Sequence, residues 1–283
     1  MVVKRVFVVA ASLLLAVLTV GWGGRDKSLE TRYPHGVRVG YAVEAPYAFV
    51  DGSGRVTGAI PELGRFVAQR LGVRVTFVLS DFGALLDQLD EGRYDVVAAG
   101  LFITEERARR FRFSVPTFQA SDSALVRSGN PKQLHSLDDA RTTGATVVVL
   151  ASSVEEALAR RAGIPRDRTI AVPDAAAARR ALESGRADLL LNSEPMVRWT
   201  ATHESAGAFE VPDPFAADPS GPGEARLGGF AFRRGDDVLV DAWNGVLIDV
   251  IGTPAHLALV EPFAFTRRSL PPAVAAPRTS AAP

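Results

Sequence analysis

The chain has 283 residues, with 32 Lys and Arg against 32 Asp and Glu, and so carries no formal net charge. That balance argues against a nucleic-acid binder, which needs a basic excess against phosphate, and 47% hydrophobic against 23% charged residues exclude disorder as the main state. The absence of cysteine removes disulfides, thiolate nucleophiles and iron–sulfur clusters together. The four histidines, His35, His135, His203 and His256, never show metal-ligand spacing, so neither a metal nor any other cofactor is expected.

In chain order, Lys4 and Arg5 precede an apolar run from Val6 to Val20. A basic start before about 15 apolar residues fits a secretory signal. Residues 1–24 are therefore expected to serve as a signal peptide or, uncleaved, as an N-terminal anchor. Without a cysteine to acylate, lipoprotein anchoring is excluded. From Val37 the pattern alternates between strand and helix. Val37 to Val43 reads as a strand and Asp51-Gly52-Ser53-Gly54 as a turn. Pro61 to Leu71 carries Leu63, Phe66, Val67 and Leu71 at helical spacing. Val73 to Leu79 follows as a strand, then a helix capped by Asp81 and closed by Gly92. Asp95 to Gly100 is almost wholly apolar, as befits a parallel strand covered on both faces.

The same alternation returns further on. Strands are expected at Thr146 to Leu150, Thr169 to Val172 and Asp188 to Leu191, with helices at Glu155 to Ala162, Ala175 to Ser184 and Pro195 to His203. Gly229 to Phe232 reads as a strand entering a last helical region. Two α/β lobes, each a sheet flanked by helices, with the chain crossing twice to make a two-stranded hinge, is the simplest architecture. The expected division is 36–127 plus 229–268 for the first lobe and 132–226 for the second, with the joint near Arg127 to Pro131. Residues 271–283, rich in Pro, Ala and Ser, are expected to form a disordered tail.

Ligands of such sheets bind beyond the carboxyl ends of the strands, in the cleft between lobes. Glu44 and Tyr47 follow the first strand, Phe82 the second, and Phe102 and Arg107 the third. One edge thus gathers three aromatic rings, a carboxylate and a guanidinium. A small zwitterion suits that set: its carboxylate pairs with arginine and its delocalised cation lies against ring faces.

Gly58-Ala59-Ile60-Pro61-Glu62 and Asp95 to Arg107, followed by Gly129-Asn130-Pro131 and His256 to Phe263, resemble the family 3 extracellular solute-binding proteins of ABC importers. Within that family the likeness is to the ectoine and hydroxyectoine binders. The resemblance implies that Glu44 takes the ring cation, that Tyr47, Phe82 and Phe102 enclose the ring, and that Arg107 holds the carboxylate. It also implies that Ser152 and Ser153, at a helix N-terminus, add backbone N–H donors. Amino-acid binders of the family usually carry aspartate where Asn192 stands. A neutral side chain there favours a ligand whose cation Glu44 holds, with a polar or cationic amino acid as the alternative. Further implications are an ABC permease as partner, a periplasmic location, a monomer and no catalysis. A remote alternative is a cyclohexadienyl dehydratase-like enzyme, with Glu194 or Glu44 as general acid.

Overall fold

The computed structural model describes residues 27–204, 207–217 and 226–272. The expected signal or anchor segment lies outside them, as does the tail from residue 273. Fourteen strands run through the described chain: β1 Val37–Tyr41, β2 Phe49–Val50, β3 Val56–Thr57, β4 Val75–Leu79, β5 Val96–Val97, β6 Phe111–Phe113, β7 Phe118–Ala120, β8 Asp122–Arg127, β9 Val147–Leu150, β10 Thr169–Val172, β11 Leu189–Ser193, β12 Phe209–Glu210, β13 Arg226–Gly228 and β14 Ala231–Arg233. Ten of them form two five-stranded sheets, in the orders β4-β1-β5-β14-β6 and β10-β9-β11-β8-β12, and the other four form the two-stranded pairs β13-β7 and β2-β3. The central pairings β1 with β4 and β5, and β9 with β10 and β11, are parallel. Such strands require helical crossovers, which Ala59–Leu71, Val154–Arg161 and Ala175–Glu183 supply.

Alternation explains why the second sheet is buried on both faces. Val147, Val149, Leu189, Leu191, Ala124 and Val126 point into one core, against Leu134, Leu137 and Leu158. Their neighbours Val148, Leu150, Leu190 and Leu125 point into the other. In the first lobe Trp243, fully buried on helix Asp237–Leu247, packs edge-on against Phe230 and Phe232 at 5.6 and 6.1 Å. The late helical region therefore packs against the first sheet.

The hinge lies elsewhere than expected. β7 and β13 pair antiparallel, Arg226 with Ala120 and Gly228 with Phe118, and each leads from one sheet to the other. β8, which the expected boundary at residue 127 leaves in the first lobe, pairs with β11 and β12 and belongs to the second sheet. The crossing is thus near Ser121. Close approach sets the hinge residue types: a Cβ on Gly228 would stand 2.0 Å from Cζ of Phe118. Only glycine allows the ring to lie flat on the opposite strand.

Candidate functional site

The strand ends of both sheets converge on the cleft beside the hinge. After β1 the chain turns back on itself, with Glu44 and Ala48 bridged by N–H···O bonds of 2.7 and 3.1 Å. This turn drives both Glu44 and Tyr47 inward, to 3% and 1% exposure. Gly100, just past β5, makes room for them. A Cβ at that position would fall 2.7 Å from the Tyr47 ring and 2.9 Å from Oε2 of Glu44.

Glu44 faces the second lobe. Its Oε1 accepts a 3.2 Å bond from Nδ2 of Asn192 on β11, whereas Oε2 is buried with no partner. Burial pushes the carboxyl up to about 8; the nearby charge of Glu155 adds to the shift and the Asn192 amide opposes it. Asn192 is itself held, its Oδ1 accepting from the Ser193 N–H at 2.6 Å. The Tyr47 hydroxyl donates to Oγ of Ser193 at 2.9 Å, a second bond between the lobes.

Aromatic rings form the adjoining wall. Tyr47 lies 5.0 Å from Phe118 of β7, and Phe102 lies 5.6 Å from the same ring. Phe82 opens a short 3₁₀ turn after β4, and its N–H reaches the Pro173 carbonyl of the second lobe at 3.4 Å. Arg107 belongs to helix Glu105–Arg110, whose Thr104 cap accepts from the Arg107 N–H at 3.2 Å. Its guanidinium donates to the Phe102 carbonyl at 2.8 Å and to the Ser152 carbonyl across the cleft at 3.1 Å. Burial holds Arg107 below its ordinary value, with Glu155 and Glu106 opposing. Two cavities of about 230 and 250 Å³ flank this side chain; the second also reaches Ser153 and Arg226.

Ser152 and Ser153 stand beside Arg107, with Ser152 at a positive φ of 60°. Their N–H groups are engaged within the second lobe, by Oε2 of Glu156 at 2.7 Å and by the Leu150 carbonyl at 3.2 Å. The Ser153 hydroxyl caps helix Val154–Arg161 by accepting from the Glu156 N–H. All eight residues singled out from the sequence thus lie along one cleft, in two groups: Glu44, Tyr47 and Asn192 at one end, and Phe82, Arg107, Ser152 and Ser153 at the other, with Phe102 between.

Sequence reasoning missed four contributors. Glu155, in the first turn of the capped helix, is only 4% exposed, and burial lifts it to about 7. The charge of Asp122 adds to that shift; its own N–H, the Ser153 hydroxyl and Arg226 counter it. Asp122 and Arg226, at the ends of the hinge strands, form an ion pair. The Arg226 guanidinium carbon stands 6.0 Å over the Phe102 ring. Phe118 is the fourth. Acids in a first helical turn and residues leaving a strand have no sequence signature of burial; the opposing lobe creates it. Glu194, in contrast, lies outside the cleft. Its side chain is 47% exposed, bonded to Arg198 at 2.7 Å, and borders a separate cavity of about 500 Å³ behind the hinge. Among the described residues no group of three His, Cys, Asp or Glu is placed to hold a metal, and no helix is long and apolar enough to cross a membrane.

Comparison with known proteins agrees with this architecture. The chain is 27% identical over 271 residues to a probable amino-acid ABC transporter periplasmic-binding protein, y4tE, of Sinorhizobium fredii, covering 94% of this chain and 89% of the relative. The crystal structure of EhuB in complex with hydroxyectoine matches with a TM-score of 0.77 and 31% identity, over 86% of this chain and 93% of that one. An ancestral arginine-binding protein bound to arginine matches with a TM-score of 0.69 and 27% identity, over 80% and 97%. A cyclohexadienyl dehydratase of Pseudomonas aeruginosa is a more distant relative, 23% identical over about half of each chain. The model of the bacterial extracellular solute-binding proteins, family 3, matches residues 37–260, and the chain belongs to that family.

Proposed function

We propose that this receptor of an ABC importer is exported, and that it captures a small zwitterion with a delocalised cation, ectoine or 5-hydroxyectoine, by closure of its lobes. The observation that carries the reading is Glu44: a buried carboxylate with one oxygen left without a partner, beside the Tyr47 ring and opposite a neutral Asn192. A buried acid in that state calls for a cation, and ring faces favour a delocalised one. Small rotations about β7 and β13 would open the cleft to admit such a solute. The hydroxyectoine complex of EhuB supports the same ligand class. Titration calorimetry of unfolded and refolded protein against ectoine, hydroxyectoine and the standard amino acids tests it. Micromolar or tighter binding of the ectoines, with amino acids silent, is the expected result; binding of amino acids alone refutes the ligand.

A cationic amino acid is the second reading, favoured by the additional buried carboxylate of Glu155 and by the arginine-bound relative. An enzymatic reading loses Glu194 to the protein surface and would rest on Glu44 as the acid. Turnover of prephenate, abolished in Glu44→Gln, would be required for it.

A further inference from the structure

Five charged side chains meet in the cleft. Asp122 and Arg226 are paired with each other, which leaves Arg107 and two buried carboxylates, Glu44 from the first lobe and Glu155 from the second; Glu155 lies within the field of both Arg107 and Glu44. Glu155 sits in the first turn of the very helix whose N-terminus, with Arg107, forms the anion end of the site. An ionised Glu155 would enjoy the same attractions as a ligand carboxylate: the helix end and the arginine.

We propose that Glu155 is a specificity-determining residue of this site, an internal rival of the ligand's carboxylate for Arg107, so that a zwitterion is held with Glu155 neutral and Glu44 charged. The proposal rests on the zwitterion reading given above. Charge counting supports it. With Asp122 and Arg226 cancelled, a bound zwitterion leaves Arg107 against its carboxylate and Glu44 against its cation. A charged Glu155 would then be a buried anion without a counter-charge, beside another anion. The groups around it are Asp122 on β8, Arg226 on β13, Arg107 on its helix, Glu44 and Tyr47 after β1, and the Ser153 hydroxyl on its own helix. Two of these are cations, and both are already committed.

The bound state therefore keeps one proton on the two glutamates. In the free protein burial sets Glu155 at about 7 and Glu44 at about 8. Above that range both are ionised and binding takes up a proton; below it both are protonated and binding releases one. Affinity should peak between the two limits and fall by up to about tenfold per pH unit on either side.

The test is calorimetry of the refolded full chain with ectoine from about pH 5.5 to 9.5, each point repeated in two buffers of different ionisation enthalpy. In the parent we expect uptake of close to one proton at about pH 9 and a declining affinity there. Glu155→Gln, which imitates the neutral acid, should lose both the alkaline decline and the proton uptake, so titration of the ligand cancels in the comparison. Identical alkaline profiles for parent and variant, or no proton uptake by the parent at about pH 9, overturn the proposal. The proton count needs no variant and decides the matter if Glu155→Gln does not fold. Binding of arginine but not ectoine refutes the ligand named above, and the same profiles recorded with arginine then decide the role of Glu155. No binding of either at any pH overturns both.

Discussion

Replacing Arg107 by alanine tests the anion end of the cleft most directly. Two of the five guanidinium N–H groups are used inside the protein, on the carbonyls of Phe102 and Ser152, so three remain for a ligand. If a ligand carboxylate takes them in a buried setting, truncation strands that carboxylate, at a cost of about 3–5 kcal/mol. Dissociation constants should then rise roughly a hundred- to several-thousand-fold. The two internal bonds contribute about 1 kcal/mol each to folding, a melting shift of a few degrees that leaves the variant folded at 25 °C. Arg107→Lys keeps the charge without the planar fork and should fall between variant and parent. Calorimetry gives the affinities, and thermal melting shows whether both variants are folded. Equal affinity of Arg107→Ala and parent would refute the placement of the carboxylate.

Tyr47→Phe removes the hydroxyl bond to Ser193 between the lobes and should weaken ligand binding by about 1 kcal/mol, with the ring wall intact; an unchanged affinity would show that this bond adds nothing to closure. Gly228→Ala forces a Cβ into the Phe118 ring and should cost about 1–3 kcal/mol, read as a melting temperature lower by about 2–12 °C. Burial lowers His256 to about 4, so between its ordinary value of 6.5 and that point the unfolded chain binds a proton the folded chain does not. Its contribution is therefore complete above about pH 6.5 and lost as pH falls towards 4. That amounts to about 3 kcal/mol, and His256→Leu should flatten the melting-temperature profile in this window.

The lobed α/β architecture was legible because apolar runs and helical spacing alternate, as in Val147–Leu150 before Val154–Arg161. The hinge was not. Ser123 to Arg127 has the composition of any buried strand, and nothing in it says which sheet it joins. The strong turn chemistry comes just afterwards, where Gly129 and Asn130 take positive φ, so the sequence points to a joint one strand too late. The true crossing at Ser121 carries no glycine or proline. The third strand shows a related limit. Val96 to Gly100 is apolar throughout, yet only Val96–Val97 forms a ladder with both neighbours, because the chain then leaves the sheet to wrap Glu44 and Tyr47. Position after a strand was enough to bring Glu44, Tyr47, Phe82, Phe102 and Arg107 to the cleft. It could not find Glu155, whose acid looks like ordinary helix capping until the other lobe covers it.

Glu44 also bears on why a ligand should close the lobes. In the conformation described, closure places Asn192 on one carboxylate oxygen and buries the other with nothing. A carboxyl raised from 4.5 to about 8 implies that its charged form is disfavoured by roughly 5 kcal/mol relative to water. Aspartate in place of Asn192 would bring a second negative charge against Glu44, so the neutral amide is what makes this contact tolerable without a cation. A ligand cation at Oε2 would reverse the penalty only when the lobes are together, because only then is the charge desolvated. Such an interaction differs between the open and closed states, which is the condition for a ligand to shift the balance between them. Asn192→Asp should therefore weaken closure without ligand and favour ligands of higher positive charge, measured as a larger scattering radius of the free protein and a changed order of affinities. A free protein of unchanged radius would show that the Glu44–Asn192 contact has no part in setting that balance.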